Sequence, residues 1–368
     1  MKNKLILFAV LLLFVGCDKK LTIVRLIAID TLKTDVIFDD VYFDTATNKE
    51  FLIKNNWEKL NGKRTLDFYL FDSNKIEKYK QIIFNSPVIF YNYLVHSFDS
   101  IYTIPNGTKH LFLFDGNGNE IQRWALSIFD SDTVVYLPAD IPFILNDGIL
   151  YFYLDAIVYD NYYKQKFIGM LQIENGIIVK SNRIISFPNY YQQEKSYMFY
   201  SSPSFLIHKE KKLLISYAVS HNLYLYKNDS VFRTVNAKSN FLDTFRFAEK
   251  DNAVNMKQYF EDGHYRKILF DRFRNLYYRV VFHNQFYENP DGTVNQRCEN
   301  PWSIIVMDSN FRIIDEIFFE AKEFQAHSIL NVSFLITSQG LIFNKRIQGE
   351  GLFDEDTFKQ ILYKIELE

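Results

Sequence analysis

The sequence predicts an all-β protein made of repeated antiparallel units, and its composition and patterning lead to this prediction. The 368 residues include 36 Phe and 25 Tyr but only 12 Ala. Aromatic and β-branched residues favour strands, whereas Ala is the strongest helix former. Apolar residues make up 48% of the chain, which is enough for a large core. Short apolar runs recur, each followed by a turn rich in Asp, Asn or Gly.

The charge of the chain is almost balanced, with 42 basic and 44 acidic residues. Domains that bind nucleic acid usually carry a clear basic excess, so we expect no nucleic-acid partner. The sequence also lacks the glycine fingerprints of nucleotide-binding loops, the nucleophile elbow of serine hydrolases and the His-Glu-x-x-His pattern. Its seven His residues are scattered, and we predict neither a metal site nor a bound cofactor.

The first residues form a targeting signal rather than part of the fold. Lys2 and Lys4 precede the apolar run Leu5–Val15, which is too short to span a bilayer and typical of a signal peptide. The run ends in Phe14-Val15-Gly16-Cys17, which resembles the bacterial lipobox, whose cysteine receives a lipid. The alternative is an ordinary secretory signal with an incidental cysteine. We predict a signal peptide over 1–16, a lipidated tether over 17–20 and one folded domain over 21–368.

Lipidation of Cys17 leaves Cys298, the second cysteine, without a partner, so we expect no intrachain disulfide. The membrane is then a partner of the protein through the N-terminal lipid. We expect the protein in the bacterial cell envelope, facing the periplasm, on either the inner or the outer membrane.

A strand, a short polar turn and a second strand recur along the domain. The turn residues tolerate the left-handed backbone that a tight hairpin needs. Five such turns begin at Asp72, Asp115, Glu174, Lys227 and Asp308. A sixth strand, Ile361–Ile365, reaches the end of the chain without a successor.

A second hairpin precedes the repeated one, and two hairpins make a four-stranded antiparallel unit. The strands are apolar on both faces, so each unit must be covered on both sides. Units of this kind, repeated about every 50 residues, predict a six-bladed β-propeller. Seven blades are the alternative, because 81 residues separate Lys227 from Asp308. We attribute the excess to insertions at 236–263 and 283–300. The upstream hairpins include Pro142–Tyr153, Phe205–Ile215, Ile268–Tyr278 and Ser333–Phe343.

The last unit lacks its fourth strand, and the run Leu21–Ile29 supplies a candidate from the other end of the chain. Pairing between the two chain ends would remove the open edge of the last blade.

These features resemble the six-bladed β-propeller lipoproteins of unknown function that occur in Gram-negative commensals. The resemblance is carried by the lipobox at Cys17, by the repeated hairpins, and by Asp271 followed by Tyr277-Tyr278-Arg279. It implies the propeller architecture and the lipid anchor, and it adds no catalytic residue.

Three stretches of sequence are candidates for binding. Asp30, Asp35, Asp39, Asp40 and Asp44 could bind a cation or a basic partner, although interleaved apolar residues indicate a strand flanked by solvated loops. The loop from Asp115 to Asn119 spaces its oxygen ligands as a calcium loop does, but it lacks the required Gly and Glu, so we interpret it as a plain turn. Tyr190 and Tyr191, in an aromatic and amide-rich loop, could stack on a sugar or peptide, or pack between blades.

Arg279 lies within an apolar strand beside Tyr277, and such a charge must be paired or solvated. Asp271, across the preceding turn, is its expected partner. The structural interpretation is an ion pair or an Arg that reaches the outer surface. The functional one is that Arg279, with Tyr277 and Asp271, presents donors to an anionic ligand in the channel.

Two functions therefore stay open for this sequence. The first, which the absence of catalytic motifs favours, is a non-catalytic binding or assembly module for a glycan, a peptide or a partner protein. The second is a propeller-type lyase or hydrolase that acts on polysaccharide or peptide.

Overall fold

The structure is a computed structural model, and the part of the chain that it describes does not include the first 22 residues. The predicted signal peptide, Cys17 and also Cys298 lie outside the described residues. These are 23–32, 36–58, 63–72, 75–85, 92–105, 108–129, 133–134, 143–156, 165–191, 195–196, 203–208, 212–227, 229–245, 248–249, 261–295, 300–321, 323–324, 334–347 and 357–367.

The described strands form six sheets of four antiparallel strands, which confirms the predicted six-bladed propeller. The alternative prediction of seven blades is wrong. The interval between Lys227 and Asp308 holds the outer strand of one blade, a long connection and the first three strands of the next blade. No helix in the described ranges is long and apolar enough to cross a bilayer.

Blades 1 to 5 each pair their four strands in chain order. Blade 6 takes its first three strands from the end of the chain and its fourth from the beginning. The first strands contact one another between blades 2 and 3, 3 and 4, 4 and 5, and 6 and 1, so the first strands line the centre of the ring, which we call the central channel.

The strands of the six blades have the following bounds, from the first strand of a blade to its fourth. Blade 1 contains β2 (Asp40–Asp44), β3 (Lys49–Glu58), β4 (Lys63–Asp72) and β5 (Lys75–Ile83). Blade 2 contains β6 (Tyr93–Ser97), β7 (Ser100–Thr103), β8 (His110–Phe114) and β9 (Glu120–Ala125). Blade 3 contains β11 (Ile144–Asn146), β12 (Ile149–Tyr153), β14 (Lys166–Glu174) and β15 (Ile177–Ser186). Blade 4 contains β17 (Ser204–His208), β18 (Lys212–Ser216), β19 (Asn222–Lys227) and β20 (Ser230–Asn236). Blade 5 contains β22 (His264–Asp271), β23 (Leu276–Phe282), β24 (Trp302–Met307) and β25 (Ile313–Phe319). Blade 6 contains β26 (Phe334–Ile336), β27 (Leu341–Ile347), β28 (Thr357–Leu367) and β1 (Val24–Thr31).

Two small sheets join the longer connections. β10 (Thr133–Val134), between blades 2 and 3, pairs with β13 (Asp155–Ala156), between the second and third strands of blade 3. β16 (Lys195–Ser196), between blades 3 and 4, pairs with β21 (Ala248–Glu249), between blades 4 and 5. Short 3₁₀ turns cover Leu126–Ile128 and Asn189–Tyr191.

The hydrophobic core lies between blades, because every blade is apolar on both faces. One cluster unites blades 2, 3 and 4, and four others join blade 4 to 5, 5 to 6, 6 to 1 and 1 to 2. Burial falls from the middle of each blade to its rim: every residue of β23 and β24 is buried, whereas β20 is mostly exposed. The ring is therefore held by packing between neighbours.

The tight turns have the residues that their backbone demands. At the turn between β14 and β15, Asn175 and Gly176 have φ of 50° and 77°, the pair of positive values typical of a two-residue hairpin. Gly118, with φ of 79°, leaves no room for a Cβ, which would lie 2.0 Å from the carbonyl oxygen of Ile83 in the preceding blade.

The outer turns also dock on the preceding blade. The indole of Trp124 in blade 2 donates to the carbonyl of Gly176 in blade 3, at 2.8 Å. The amide of Asn85, after blade 1, donates to the carbonyl of Gly118 in blade 2, at 3.1 Å. These bonds tie one blade to the next at the rim, outside the apolar clusters.

Pairing between the two ends of the chain closes the ring, as predicted. β1 runs antiparallel to β28, from Val24 opposite Leu367 to Thr31 opposite Ile361. The carboxamide of Gln360 then binds both the N–H and the C=O of Phe38, each at 3.1 Å, and so holds the segment that leads into blade 1.

A chain of polar contacts crosses the same junction. Arg274 of blade 5 donates to the carbonyls of Thr337 and Ser338, in the first turn of blade 6. The hydroxyl and amide of Ser338 donate to the carboxylate of Glu50 in blade 1. The junction between blades 5, 6 and 1 is thus fixed by directed bonds as well as by strand pairing.

Candidate functional site

Arg279, the first candidate from the sequence, lies completely buried between blades 4 and 5. Its Nε donates to the hydroxyl of Ser216 at 3.0 Å. Its two terminal nitrogens donate to five backbone carbonyls of blade 4, among them Ser220 at 2.6 Å and His221 and Ala237 at 2.9 Å each. No donor is left to point into the channel, so the ligand-facing interpretation of Arg279 is wrong.

The prediction that Asp271 pairs with Arg279 is also wrong, because the acceptors of the guanidinium are a hydroxyl and backbone carbonyls. Its guanidinium lies 3.4 Å above the ring of Tyr265, and the charge is solvated by carbonyl dipoles and an aromatic face. Burial lowers the pKa of Arg279 to about 10, so the side chain remains charged at neutral pH. The sequence could not name these partners, because any residue carries a carbonyl.

Asp271 orders the turn between β22 and β23, the strand that contains Arg279. It accepts from the amides of Phe273 and Arg274 and from the guanidinium of Arg274, at 2.8 to 3.0 Å. Tyr278 also donates to it, at 2.8 Å. Asp271 is fully buried at the turn, and its role in this structure is to fix the hairpin.

The tyrosine candidates pack between blades. Tyr277 is buried and hydrogen-bonds to the ring of His208 in blade 4. Tyr191 is buried, its hydroxyl accepts from the amide of Val219, and the half-buried ring of Tyr190 lies 4.9 Å from it. The packing alternative holds for these residues. The rest of that aromatic loop, residues 192–194 and 197–200, lies outside the described residues.

The loop at Asp115 is a turn, as predicted. One carboxylate oxygen of Asp115 accepts from the amides of Asn117 and Asn119, both at 2.8 Å, and these bonds lower the pKa of Asp115. No group of three or more metal-ligating side chains occurs among the described residues.

The structure instead brings together a polar cluster at one end of the central channel. Asp39 and Asp40 lie at the start of β2, Tyr93 at the start of β6 and Lys267 on β22, so blades 1, 2 and 5 contribute. Asp40 is within electrostatic range of Lys267, Asp39 and Tyr93. We call these four residues the channel cluster.

Asp39 is held in place by its neighbours. Its carboxylate accepts from the amide of Asn55 at 2.8 Å and lies 3.7 Å from the ammonium of Lys54. The side chain of Asn55 accepts from Arg64 at 3.1 Å. Asp39 is therefore a fixed negative charge beside Asp40.

Asp40 is the carboxyl of the cluster whose pKa is raised. It is half-buried at the start of β2, and its carboxylate accepts from the backbone amide of Val41 at 2.8 Å. Burial raises its pKa from 3.8 to about 6, and Asp39 adds to the rise, while the bond to Val41 and the charge of Lys267 oppose it. Burial and both carboxylates also raise the pKa of Tyr93 well above its usual value.

The sequence indicated the acidic stretch but not the other residues of the channel cluster. The strand within that stretch is confirmed as β2, and Asp40 is half-buried at its start rather than part of a solvated loop. Tyr93 and Lys267 belong to distant segments, and no local motif marks them. Their one common signal is position, because both lie on the first strand of a blade.

The long connections of the propeller begin and end at the same end of the ring as the channel cluster. Turns between the first and second strands of a blade have at most four residues. These short turns lie at the end of the ring away from the channel cluster. The end that carries the channel cluster also receives the connections that enter a first strand and those that join the second strand to the third. We call the end with the channel cluster the loop face. Four of its connections are much longer, namely residues 126–143, 187–203, 237–263 and 283–301.

The comparison with protein families places this chain. Residues 88–317 match the family described as a domain of unknown function, DUF4221. The chain belongs to the DUF4221 family. A crystal structure of a DUF4221 member from Bacteroides vulgatus shares the fold, with a TM-score of 0.73 and 18% identity over 93% of this chain and 98% of that one.

Other solved structures are less similar to this DUF4221 propeller. A luciferin-regenerating enzyme has a TM-score of 0.43 and 11% identity over 94% of this chain and 95% of its own. Virginiamycin B lyase from Staphylococcus aureus has a TM-score of 0.40 and 9% identity, over 93% and 99%. A comparison with curated proteins gave no significant match.

The first prediction concerns Arg279. We expect Arg279→Lys to destabilise the DUF4221 domain by about 2–4 kcal/mol, because lysine cannot satisfy the carbonyls of blade 4 and leaves them buried. The urea midpoint measures this loss. Arg233→Lys is the matched control, since Arg233 is exposed and donates to one carbonyl, that of Asn310. Equal midpoints for the two variants would contradict the role assigned to Arg279.

The second prediction concerns Asp40. Since its pKa is higher in the fold than in the unfolded chain, its ionisation costs stability as pH rises from about 4 to about 6. We expect Asp40→Asn to stabilise the domain by about 1–3 kcal/mol at pH 7.5 and by almost nothing near pH 4.

Asp44, at the other end of β2, is the control for this experiment. Hydrogen bonds from Thr47 and from backbone amides lower its pKa, so Asp44→Asn should not stabilise the domain at pH 7.5. Urea denaturation at both pH values gives the comparison. A pH-independent effect of Asp40→Asn would show that the pKa of Asp40 is not raised in the fold.

Proposed function

We propose that this protein is a lipid-anchored module of the bacterial cell envelope that binds a polar ligand at its loop face without transforming it. The ligand classes that suit the channel cluster are glycans and peptides. Both carry hydroxyl or amide groups that can donate and accept hydrogen bonds at once, and the cluster offers both kinds of partner.

The observation that carries this proposal is the placement of Asp40 in the channel. Its carboxyl is half-buried at a cost to stability, within electrostatic range of Tyr93 and Lys267. Two structural carboxylates elsewhere in the fold differ from Asp40: hydrogen bonds lower the pKa of Asp115, and Asp271 accepts four hydrogen bonds. A polar group retained in an unfavourable place is a candidate for function.

The position of the long connections supports the same end of the ring. In a scaffold of rigid strands, binding residues are most often carried by loops, since loops tolerate change without loss of the core. The loop face has the four long connections, and the opposite end has only short turns. A ligand at the channel cluster would be reached from the loop face.

An enzyme is the second candidate, and one observation favours it. A carboxyl with a pKa of about 6 could accept or donate a proton near neutral pH. A lyase or hydrolase would use Asp40 as that group. The neighbouring Asp39 is already bound to Asn55 and Lys54, which makes it a poor second catalytic carboxyl.

The third prediction tests ligand binding. A thermal-shift screen of residues 21–368 against glycans and peptides should find ligands whose shift is lost in Lys267→Met and in Asp40→Asn. The second variant should lose binding although it is more stable than the parent. Asp44→Asn should keep the shift, since it lies at the far end of β2.

Two results would count against this function. Ligands that stabilise all variants equally would place the binding site elsewhere. Conversion of a bound ligand to product, lost in Asp40→Asn, would establish the enzyme instead.

The fourth prediction tests the anchor. Cys17→Ser should prevent lipidation and release the protein from the membrane fraction, whereas Cys298→Ser should leave it there. Radiolabelled fatty acid and fractionation of the producing bacterium give the readout. Parent and Cys17→Ser proteins that fractionate identically would refute the lipid anchor.

A further inference from the structure

The closing strand β1 and the residue before it expose three isoleucines. Ile23, Ile27 and Ile29 are 41%, 42% and 47% exposed, and Ile29 lies at a bulge in the pairing with β28. Between them, Val24 is buried and Leu26 packs on the cluster shared by blades 5 and 6. The exposed residues therefore contribute little to the core, and their apolar character calls for another cause.

Exposure alone does not set β1 apart from the other outer strands. In blade 3, Ile177 and Val179 are 67% and 52% exposed on β15. Blade 3 lies opposite blade 6 in the six-membered ring. The two strands thus form a matched pair with similar surfaces on opposite sides of the molecule.

The covalent path to the lipid does set β1 apart. Residues 17 to 23 can span about 20 Å at most, even when fully extended. A compact domain of this length is about 50 Å across. If Cys17 carries the lipid, the distance of Ile23 from the membrane surface cannot exceed the length of this tether. Blade 3, on the far side of the domain, has no such limit.

We propose that the rim of blade 6 rests on the membrane and that Ile23, Ile27 and Ile29 enter its headgroup layer. This inference rests on the lipid anchor of the proposed function. The tether holds the three side chains near the interface, and partial removal of their apolar surface from water then stabilises contact. The occupant of this face is thus the lipid surface to which the chain is attached.

The orientation that follows is edge-on. With blade 6 at the membrane and blade 3 farthest from it, the axis of the ring runs along the membrane plane. The loop face then opens sideways into the periplasmic space rather than towards the lipid. The channel cluster stays accessible to soluble or wall-bound ligands in this orientation.

Fluorescence quenching at single positions tests this arrangement. In the full-length chain with Cys298→Ser, each of Ile27→Cys, Ile29→Cys, Ile177→Cys and Val179→Cys receives an environment-sensitive dye, while Cys17 remains the lipidation site. The lipidated proteins are placed in vesicles of phosphatidylethanolamine and phosphatidylglycerol with spin-labelled headgroups. We expect the dyes at 27 and 29 to be quenched about twofold or more beyond those at 177 and 179.

The other outcomes overturn the inference in distinguishable ways. Equal quenching at all four positions would mean that the ring lies flat on the membrane. No quenching, in protein that still floats with the vesicles, would refute contact and leave the anchor intact. Protein that does not float would refute the anchor, and the inference with it. In the unlipidated Cys17→Ser chain, a concentration-dependent dye shift at 27 and 29 without vesicles would show that a second copy covers this face.

Discussion

Pairing between the two ends of the chain is the constraint on which the rest of this structure depends. β1 supplies the fourth strand of blade 6, and without it that blade would present the unpaired edge of β28. The apolar clusters lie between blades, so each blade is stable only when both neighbours are in place. Gln360 and the bonds from Ser338 to Glu50 fix the same junction. Closure thus converts a row of sheets into a ring with no exposed core.

A closed ring also creates the one environment that no single blade could provide. The first strands enclose a channel, and polar side chains placed there are removed from bulk water without being packed in a core. Asp40 and Lys267 come from blades 1 and 5, and they lie within electrostatic range of each other only because the ring is complete. The contact between the rings of Phe43 and Phe273, 5.6 Å apart, joins the same two blades nearer the opposite end. Closure therefore assembles the candidate site as well as the fold.

The sequence alone predicted the architecture because each hairpin is formed by residues that are close together in the chain. A hairpin needs apolar strands and a turn such as Asn175-Gly176, and both are contiguous in the chain. Blade number and closure followed from counting hairpins and from the missing last strand. The site was not predictable in this way, since Tyr93 and Lys267 carry no motif. The segment from Asp271 to Arg279 resembled a family pattern, and its residues have structural roles. Asp271 orders a turn, and Arg279 binds blade 5 to blade 4. The pattern therefore indicates the architecture rather than a binding site.

Arg279, which is fully buried, and Asp40, which is half-buried, show that two charges removed from water can have opposite roles. The guanidinium of Arg279 finds six oxygen acceptors and an aromatic face, so its charge is compensated and the residue joins two blades. The carboxyl of Asp40 has the amide of Val41 as its hydrogen-bond donor, and burial outweighs both that bond and the attraction of Lys267. A charge that the protein has satisfied completely has nothing left for a ligand. The ionised form of Asp40 can be stabilised by a new partner, and for this reason we propose the channel cluster, rather than Arg279, as the ligand site.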